Sequence, residues 1–154
     1  MPNISDGCEA LNLLKAHLQS RIDADYQAPF ARYNGADVVT ADEEPSPEER
    51  IGKPYIVFDE PQEQDAPDWG RDARAVLIPA DVVATEESGA KIGMANPVGA
   101  DTLLSSAFLE IVRDDYAVLR DIGLMGATAR KGSGRNQDGT HTNTHEFRCV
   151  IFPQ

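Results

Sequence analysis

The sequence predicts an α+β fold, a single domain in which an antiparallel or mixed β-sheet carries two helices packed on one face, with long polar loops between the elements. Three observations predict it. An amphipathic helical stretch opens the chain, a second begins at Asp101, and the segments between and after them read as strands separated by Pro- and Gly-rich connections. Two helices are too few for the strand–helix alternation of a doubly wound parallel sheet. A chain of 154 residues with 41% hydrophobic residues supplies one sizeable core without disulfide or metal staples.

The first helix is expected from about Cys8 to Asp23. Asp6, followed three residues later by Glu9, has the spacing of an N-cap with a reciprocal partner. Leu11, Leu14, Leu18 and Ile22 then recur at helical spacing, while Lys15, Gln19 and Arg21 take other faces. Pro29 and the Asn34–Gly35 turn signal end this pattern, and "DVVT", Asp37 to Thr40, reads as a short strand. Ser46, Pro47 and Glu49 spell a helix start that Gly52 and Pro54 stop within one turn. "PYIVFDE" is a strand by its β-branched and aromatic content, and the acidic "DEPQEQDAPDWGRD", Asp59 to Asp72, reads as loop.

"ARAVLIPADVV" is a further strand, which Pro79 should interrupt or place at a sheet edge. Residues 84–100 form a long connection or arm. In the second helix Leu104, Phe108, Ile111, Val118, Leu119 and Ile122 share a face interrupted by Asp114–Asp115, and Gly123 stands where helix ends favour glycine. The closing strands are "LMGATAR" and "HEFRCVIF"; in the latter Phe147, Cys149 and Ile151 alternate with Glu146, Arg148 and Val150, the pattern of a half-buried strand. Between them, 130–145 reads as a second extended loop or arm.

No catalytic constellation is present, and neither a metal nor another cofactor is expected. His141 and His145 share a face on a strand, with Asp138 and Cys149 as the nearest further ligands, but a zinc site needs three or four and both histidines read as exposed loop residues. His17 lies off the leucine stripe and reads as a surface residue. "KGSGRN" looks like a small anion-binding glycine turn without the phosphate-loop pattern or a following helix. No nucleophile elbow surrounds any serine. Cys8, at a helix start, is expected to pack, and the adjacent acids Asp114–Asp115 and Glu86–Glu87 to be solvated. The opening residues lack a basic region and an apolar run, so no signal peptide is expected and the Asn3–Ile4–Ser5 sequon is read as chance. Nor is there an apolar stretch of membrane-spanning length.

Charge carries more information. The 26 acidic against 14 basic residues give a net charge of −12, which excludes a uniformly basic nucleic-acid surface. Yet Arg130, Lys131 and Arg135 cluster on one polar segment, while acids cluster at Asp42–Glu49 and Asp59–Asp72. Separate acidic and basic patches can pair between copies of one chain, and head-to-tail pairing closes into a ring when the rotation allows. The candidate interface residues are therefore Arg130, Lys131 and Arg135 on one side, with Glu43, Glu44, Asp65, Asp68 and Trp69 on the other.

The N-terminal amphipathic helix, the "PYIVF" strand after a proline, the long polar loops and the closing "EFRCVIFPQ" together resemble the neck and tail-terminator proteins of tailed bacteriophages. That resemblance implies a non-catalytic virion subunit, assembled in the host cytoplasm into a homo-oligomeric ring, a hexamer in this group, at the head–tail junction. Its partners would be tail-tube and neck or connector proteins, with DNA as passing cargo and no membrane. The 84–100 connection is longer than the group's layout suggests. Two other classes fit the composition: an acidic protein-binding or inhibitor module, and a small metal-dependent enzyme using His141 and His145 with Asp138.

Overall fold

A computed structural model describes residues 4–26, 37–44, 55–84, 108–135 and 141–153. The predicted helix start at Ser46, the connection 84–100 beyond Ala84 and the helix cap at Asp101 lie outside them. The described chain is α+β, and its order is α1 (Gly7–Tyr26), β1 (Asp37–Thr40), a 3-10 turn (Ala41–Glu43), β2 (Tyr55–Phe58), β3 (Gln62–Asp65), a second 3-10 turn (Pro67–Trp69), β4 (Arg74–Ala84), α2 (helical over 108–114), α3 (Tyr116–Asp121), β5 (Met125–Arg135) and β6 (His141–Ile151).

The six strands form one mixed sheet in the order β1-β2-β4-β6-β5, with β3 beside β4 below β2. Only β1–β2 is parallel; every other pair is antiparallel. The spine is the β4–β6 ladder, in register from Arg74↔Ile151 to Ala84↔His141. Because side chains alternate across a strand, Val76, Ile78, Ala80 and Val82 of β4 and Phe147, Cys149 and Ile151 of β6 all face the helices and are buried. Leu11, Leu14, Leu18 and Ile22 of α1 close over them, as their spacing predicts, joined by Phe108, Ile111, Val112 and Leu119. Each such side chain stabilises by roughly 1.5–3 kcal/mol.

Helix ends follow local chemistry. Asp6 Oδ1 accepts the Glu9 amide at 2.9 Å, as an N-cap should, and Glu9 reaches back to the amide of Ser5 at 2.9 Å, one residue before the cap. At the far end of α3, Gly123 takes φ 96°, with Gly123 N–H on Arg120 O and Leu124 N–H on Leu119 O, the double bond of a Schellman cap. The second helical stretch breaks at Asp115 into α2 and α3. Val118, expected on the buried stripe, is 52% exposed, because the break turns α3 and leaves Leu119 as its one buried residue.

Three segments depart from expectation. The acidic loop Asp59–Asp72 contains β3 and a 3-10 turn; β3 has no buried residue yet pairs with β4 through its backbone. β4 is an uninterrupted interior strand of 11 residues. Pro79 fits because its nitrogen shares a side with its carbonyl, and that side faces the passage from β2 to β3, where Asp59 N–H donates to Pro79 O at 3.0 Å. A proline with no ladder partner there loses nothing. Finally, of the expected arm 130–145, residues 130–135 belong to β5 and 141–145 to β6, so most of it is the distal half of a β-hairpin within the sheet.

β5 lies against β6 where only glycine fits. A Cβ at Gly126 would collide with the Arg148 carbonyl oxygen of the neighbouring strand. We expect Gly126→Ala to destabilise by roughly 1–3 kcal/mol through displacement of β5, and Phe147→Ala, at the centre of the core, by roughly 3–5 kcal/mol. Denaturant unfolding followed by circular dichroism checks both.

Candidate functional site

The charged candidates sit toward the two sides of the sheet that the described strands form. One edge is β5. It is paired with β6 alone among the described strands, and its register slips between Arg130 and Gly132, leaving Lys131 in a β-bulge. Arg130, Lys131 and Arg135 therefore occupy the second half of an edge strand. The Lys131 ammonium lies 3.1 Å from Glu146 Oε2, and Arg148 reaches the same carboxylate at 3.0 Å. These two cations hold the Glu146 carboxyl below its ordinary value, the Lys131 hydrogen bond being the largest cause.

The opposite edge is built by β1 and β3. After β1 the chain turns through Ala41–Glu43, with Thr40 as N-cap in a capping box with Glu43. The Glu43 carboxylate is 2.6 Å from Lys15 Nζ of α1, and also accepts from the Thr40 hydroxyl and amide; these contacts lower its pKa to about 2. Glu44 accepts the Tyr55 hydroxyl at 3.2 Å. Lower on this edge, Arg74 bridges Glu63 at 3.3 Å and Asp65 at 3.4 Å. Asp68 and Trp69 follow on the 3-10 turn, with Trp69 58% exposed. The structure thus places the acidic candidates around β1 and β3 and the basic ones on β5.

Register fixes their relative heights. One row runs Thr40, Phe58, Ala80, His145, Arg130, and another runs Asp37, Tyr55, Val83, Thr142, Gly134. β1 therefore stands level with the basic half of β5. A lower row runs Gln64, Ala75, Val150, Met125, placing β3 level with the start of β5.

Between the edges, on the face away from the helices, lies a cavity of about 710 Å³ lined by residues that include Ala75, Leu77, Met125, Val150, Trp69 and Tyr116. Higher on that face a second apolar cluster holds Tyr55, Val57 and Val83, with no described helix residue in it. Asp81 lies beside this cluster; burial raises its pKa most, Thr144 opposes the rise with a hydrogen bond, and Glu44 and Asp59 add repulsion.

The histidine readings change. His145 is wholly buried, its ring edge-on to Phe108 at 5.2 Å, so it packs in the core instead of standing in a loop. The His141 side chain and Asp138 lie outside the described residues, and among those described no group of three or more His, Cys, Asp or Glu could hold a metal ion. His17 is half-buried; its Nε2 lies 2.8 Å from Asp115 Oδ2, which Arg21 Nε approaches at 2.9 Å. Asp115 is thus held by α1 at the α2–α3 break and is not solvated. Cys8, expected to pack, is exposed, whereas Cys149 is buried with its thiol pushed up to about 12 by desolvation. Gly132 and Gly134 of "KGSGRN" lie in the β5 ladder, so their amides do not form an anion-binding turn.

Sequence reasoning named Trp69 and missed Tyr116, which is 42% exposed; an aromatic next to Asp114–Asp115 in a helix with a long polar break was the available signal. Compared with known proteins, the chain matches no family model and aligns significantly with no curated protein. Among the described residues no helix is long and apolar enough to cross a membrane.

Two pH effects follow. Glu43 is depressed on folding, so its contribution is complete above the unfolded value of 4.5 and fades as pH falls toward about 2. Melting curves of wild type and Glu43→Gln should differ at neutral pH and converge across that window. Asp81 is raised, so its carboxylate costs stability above the unfolded value of 3.8. Asp81→Asn should melt higher than wild type at neutral pH, with the gain shrinking in acid.

Proposed function

We propose that the chain is a non-catalytic structural subunit that associates head to tail into a closed ring. Its specific role, on the resemblance drawn from the sequence, is that of a tailed-phage virion component at the head–tail junction, of the tail-terminator or neck type. It would assemble in the host cytoplasm as a homo-oligomer, a hexamer in that group, against tail-tube and connector proteins, and pass DNA through its lumen without retaining it.

The observation that supports assembly is the opposed charge of the two edges of one sheet. β5 carries Arg130, Lys131 and Arg135 without an acid between them, and the chain around β1 and β3 carries Glu43, Glu44, Asp65 and Asp68. Complementary patches on opposite sides of one molecule steer copies into a single relative orientation. Such a contact is heterologous, and heterologous contacts make rings when their rotation closes. A strongly negative surface turned to the lumen repels the phosphate backbone, which suits a channel for DNA. The basic edge also favours a two-sided subunit over an acidic inhibitor, which needs only its acidic side.

Sedimentation velocity tests the reading. Wild type should form one discrete high-order species, and the triple variant Arg130→Ser, Lys131→Ser, Arg135→Ser should remain a monomer with unchanged circular dichroism. Folding should survive because the Lys131–Glu146 pair lies at the surface, where solvent screens it and it contributes little to stability. Normal assembly by the triple variant would remove the support that the charged edges give.

A further inference from the structure

We propose that the cavity on the sheet face away from the helices binds a small amphiphilic acid, an aromatic or aliphatic body that carries one carboxylate. The proposal goes beyond the ring-forming reading and does not depend on it.

Register builds the floor. The row Gln62, Leu77, Arg148, Ala127 lies above the row Gln64, Ala75, Val150, Met125. Residues opposite each other in a ladder share a face, and successive residues of a strand alternate between faces. Val76 and Cys149, between the two rows, are buried under the helices, so both rows stand on the other face. Ala75, Leu77, Val150 and Met125 are partly exposed and Ala127 is exposed. They make an apolar floor over β4, β6 and β5, with the exposed Gln62 and Gln64 of β3 along one side.

Two exposed aromatic rings, Trp69 and Tyr116, join the lining, and both stand on fixed supports. The turn that carries Trp69 is closed by Trp69 N–H on Ala66 O and Ala66 N–H on Ala73 O, each at 3.0 Å. Tyr116 follows Asp115, whose carboxylate His17 and Arg21 hold at 2.8 and 2.9 Å. A site formed before its ligand arrives loses little freedom when it is filled. Its volume of about 710 Å³ falls within the roughly 300–1,000 Å³ of small-molecule sites.

Charge selects the head group. Among the described residues that line the cavity two are charged, Glu63 and Arg148. Glu63 is opposite Val76 in the ladder, so its side chain lies on the helix face, where it approaches Arg74 at 3.3 Å. A Cβ on Gly7 of α1 would stand 3.2 Å from Glu63 Cγ, which places it on that side as well. Arg148 is on the cavity face, with its side chain 64% exposed. It donates to Glu146 Oε2 at 3.0 Å, and Lys131 Nζ lies 3.1 Å from the same oxygen. Two cations on one carboxylate leave a positive charge over, and Lys131 keeps Glu146 paired when Arg148 turns to a ligand. A guanidinium fork matches a carboxylate with two parallel hydrogen bonds, whereas an amine there is repelled.

Trp69 is the only tryptophan of the chain, so its fluorescence reports occupancy. Phenylbutyrate, phenylbutanol and phenylbutylamine share one apolar body and differ in the head group. Wild type should bind phenylbutyrate roughly tenfold or more tighter than the alcohol, with the amine weakest. Arg148→Gln, at an exposed position, should bind acid and alcohol alike, with the alcohol's affinity unchanged. Ala127→Phe fills the floor from an exposed position and should abolish the response to all three, with unchanged circular dichroism. Equal affinity for acid and amine, or a preference for the acid that survives Arg148→Gln, would overturn the choice of head group. Binding that survives Ala127→Phe would overturn the site. No response of wild type to any of the three overturns the proposal whether or not rings form. Loss of an assembled species in Ala127→Phe would then make the cavity a contact between copies.

Discussion

The architecture depends on the ladder between β4 and β6, in register from Arg74↔Ile151 to Ala84↔His141. These are the two long interior strands, and every other described strand except β1, which pairs with β2, is laddered to one of them. β2 and β3 share the outer side of β4, one above the other, and β5 takes the outer side of β6. α1 and the α2–α3 pair cover the row of inward residues that the ladder sets side by side, from Val82 and Asn143 down to Val76 and Cys149. A slip of one residue would turn that row to solvent and bring Glu146 and Arg148 into the core. The ladder also explains how an interior strand accepts Pro79: the side of β4 that would demand its amide hydrogen is the side where β2 has ended and β3 has not yet begun.

A second constraint couples the helices. His17 and Arg21, one turn apart on α1, converge on the Asp115 carboxylate at the break between α2 and α3. The break is therefore anchored, and its backbone bonds continue through Asp115, which donates to Ile111 O and accepts from Leu119. This pair of contacts, with the Schellman cap at Gly123, fixes how α3 delivers the chain into β5, and so fixes where Tyr116 and Val118 stand relative to the edge strand.

What was legible in the sequence divides along physical lines. Where burial is periodic, the reading held: the leucine stripe of α1, the alternation in "EFRCVIF" and the glycine after the second helix all correspond to elements in place. β3 was invisible because "QEQD" buries no side chain; it is a strand only because β4 presents an unsatisfied ladder, a tertiary fact. The upper hairpin was missed for a related reason, since "RKGSGR" has neither β-branched nor aromatic residues. His145 was different. The alternation of Phe147, Cys149 and Ile151 continues upward to His145 and Asn143, both wholly buried, and the polar neighbourhood "TNTHEF" obscured a period already in view. For the site, segregation of charge was legible, but the levels of the opposed charges were not, because they follow from register across five strands.

An acidic protein with one short basic stretch has a narrow choice of how to use it. Scattered over a surface, three cations among 26 acids would be neutralised locally, as Lys131 is in part by Glu146. Arg130, Lys131 and Arg135 instead follow one another along β5, while Glu43, Glu44, Asp65 and Asp68 lie around β1 and β3. Charge alone gives attraction without fixed geometry and is screened beyond about 8–10 Å at physiological salt. On the proposed head-to-tail reading, the rotation between successive copies, more than the strength of any single ion pair, decides whether they close on themselves or run on as a filament.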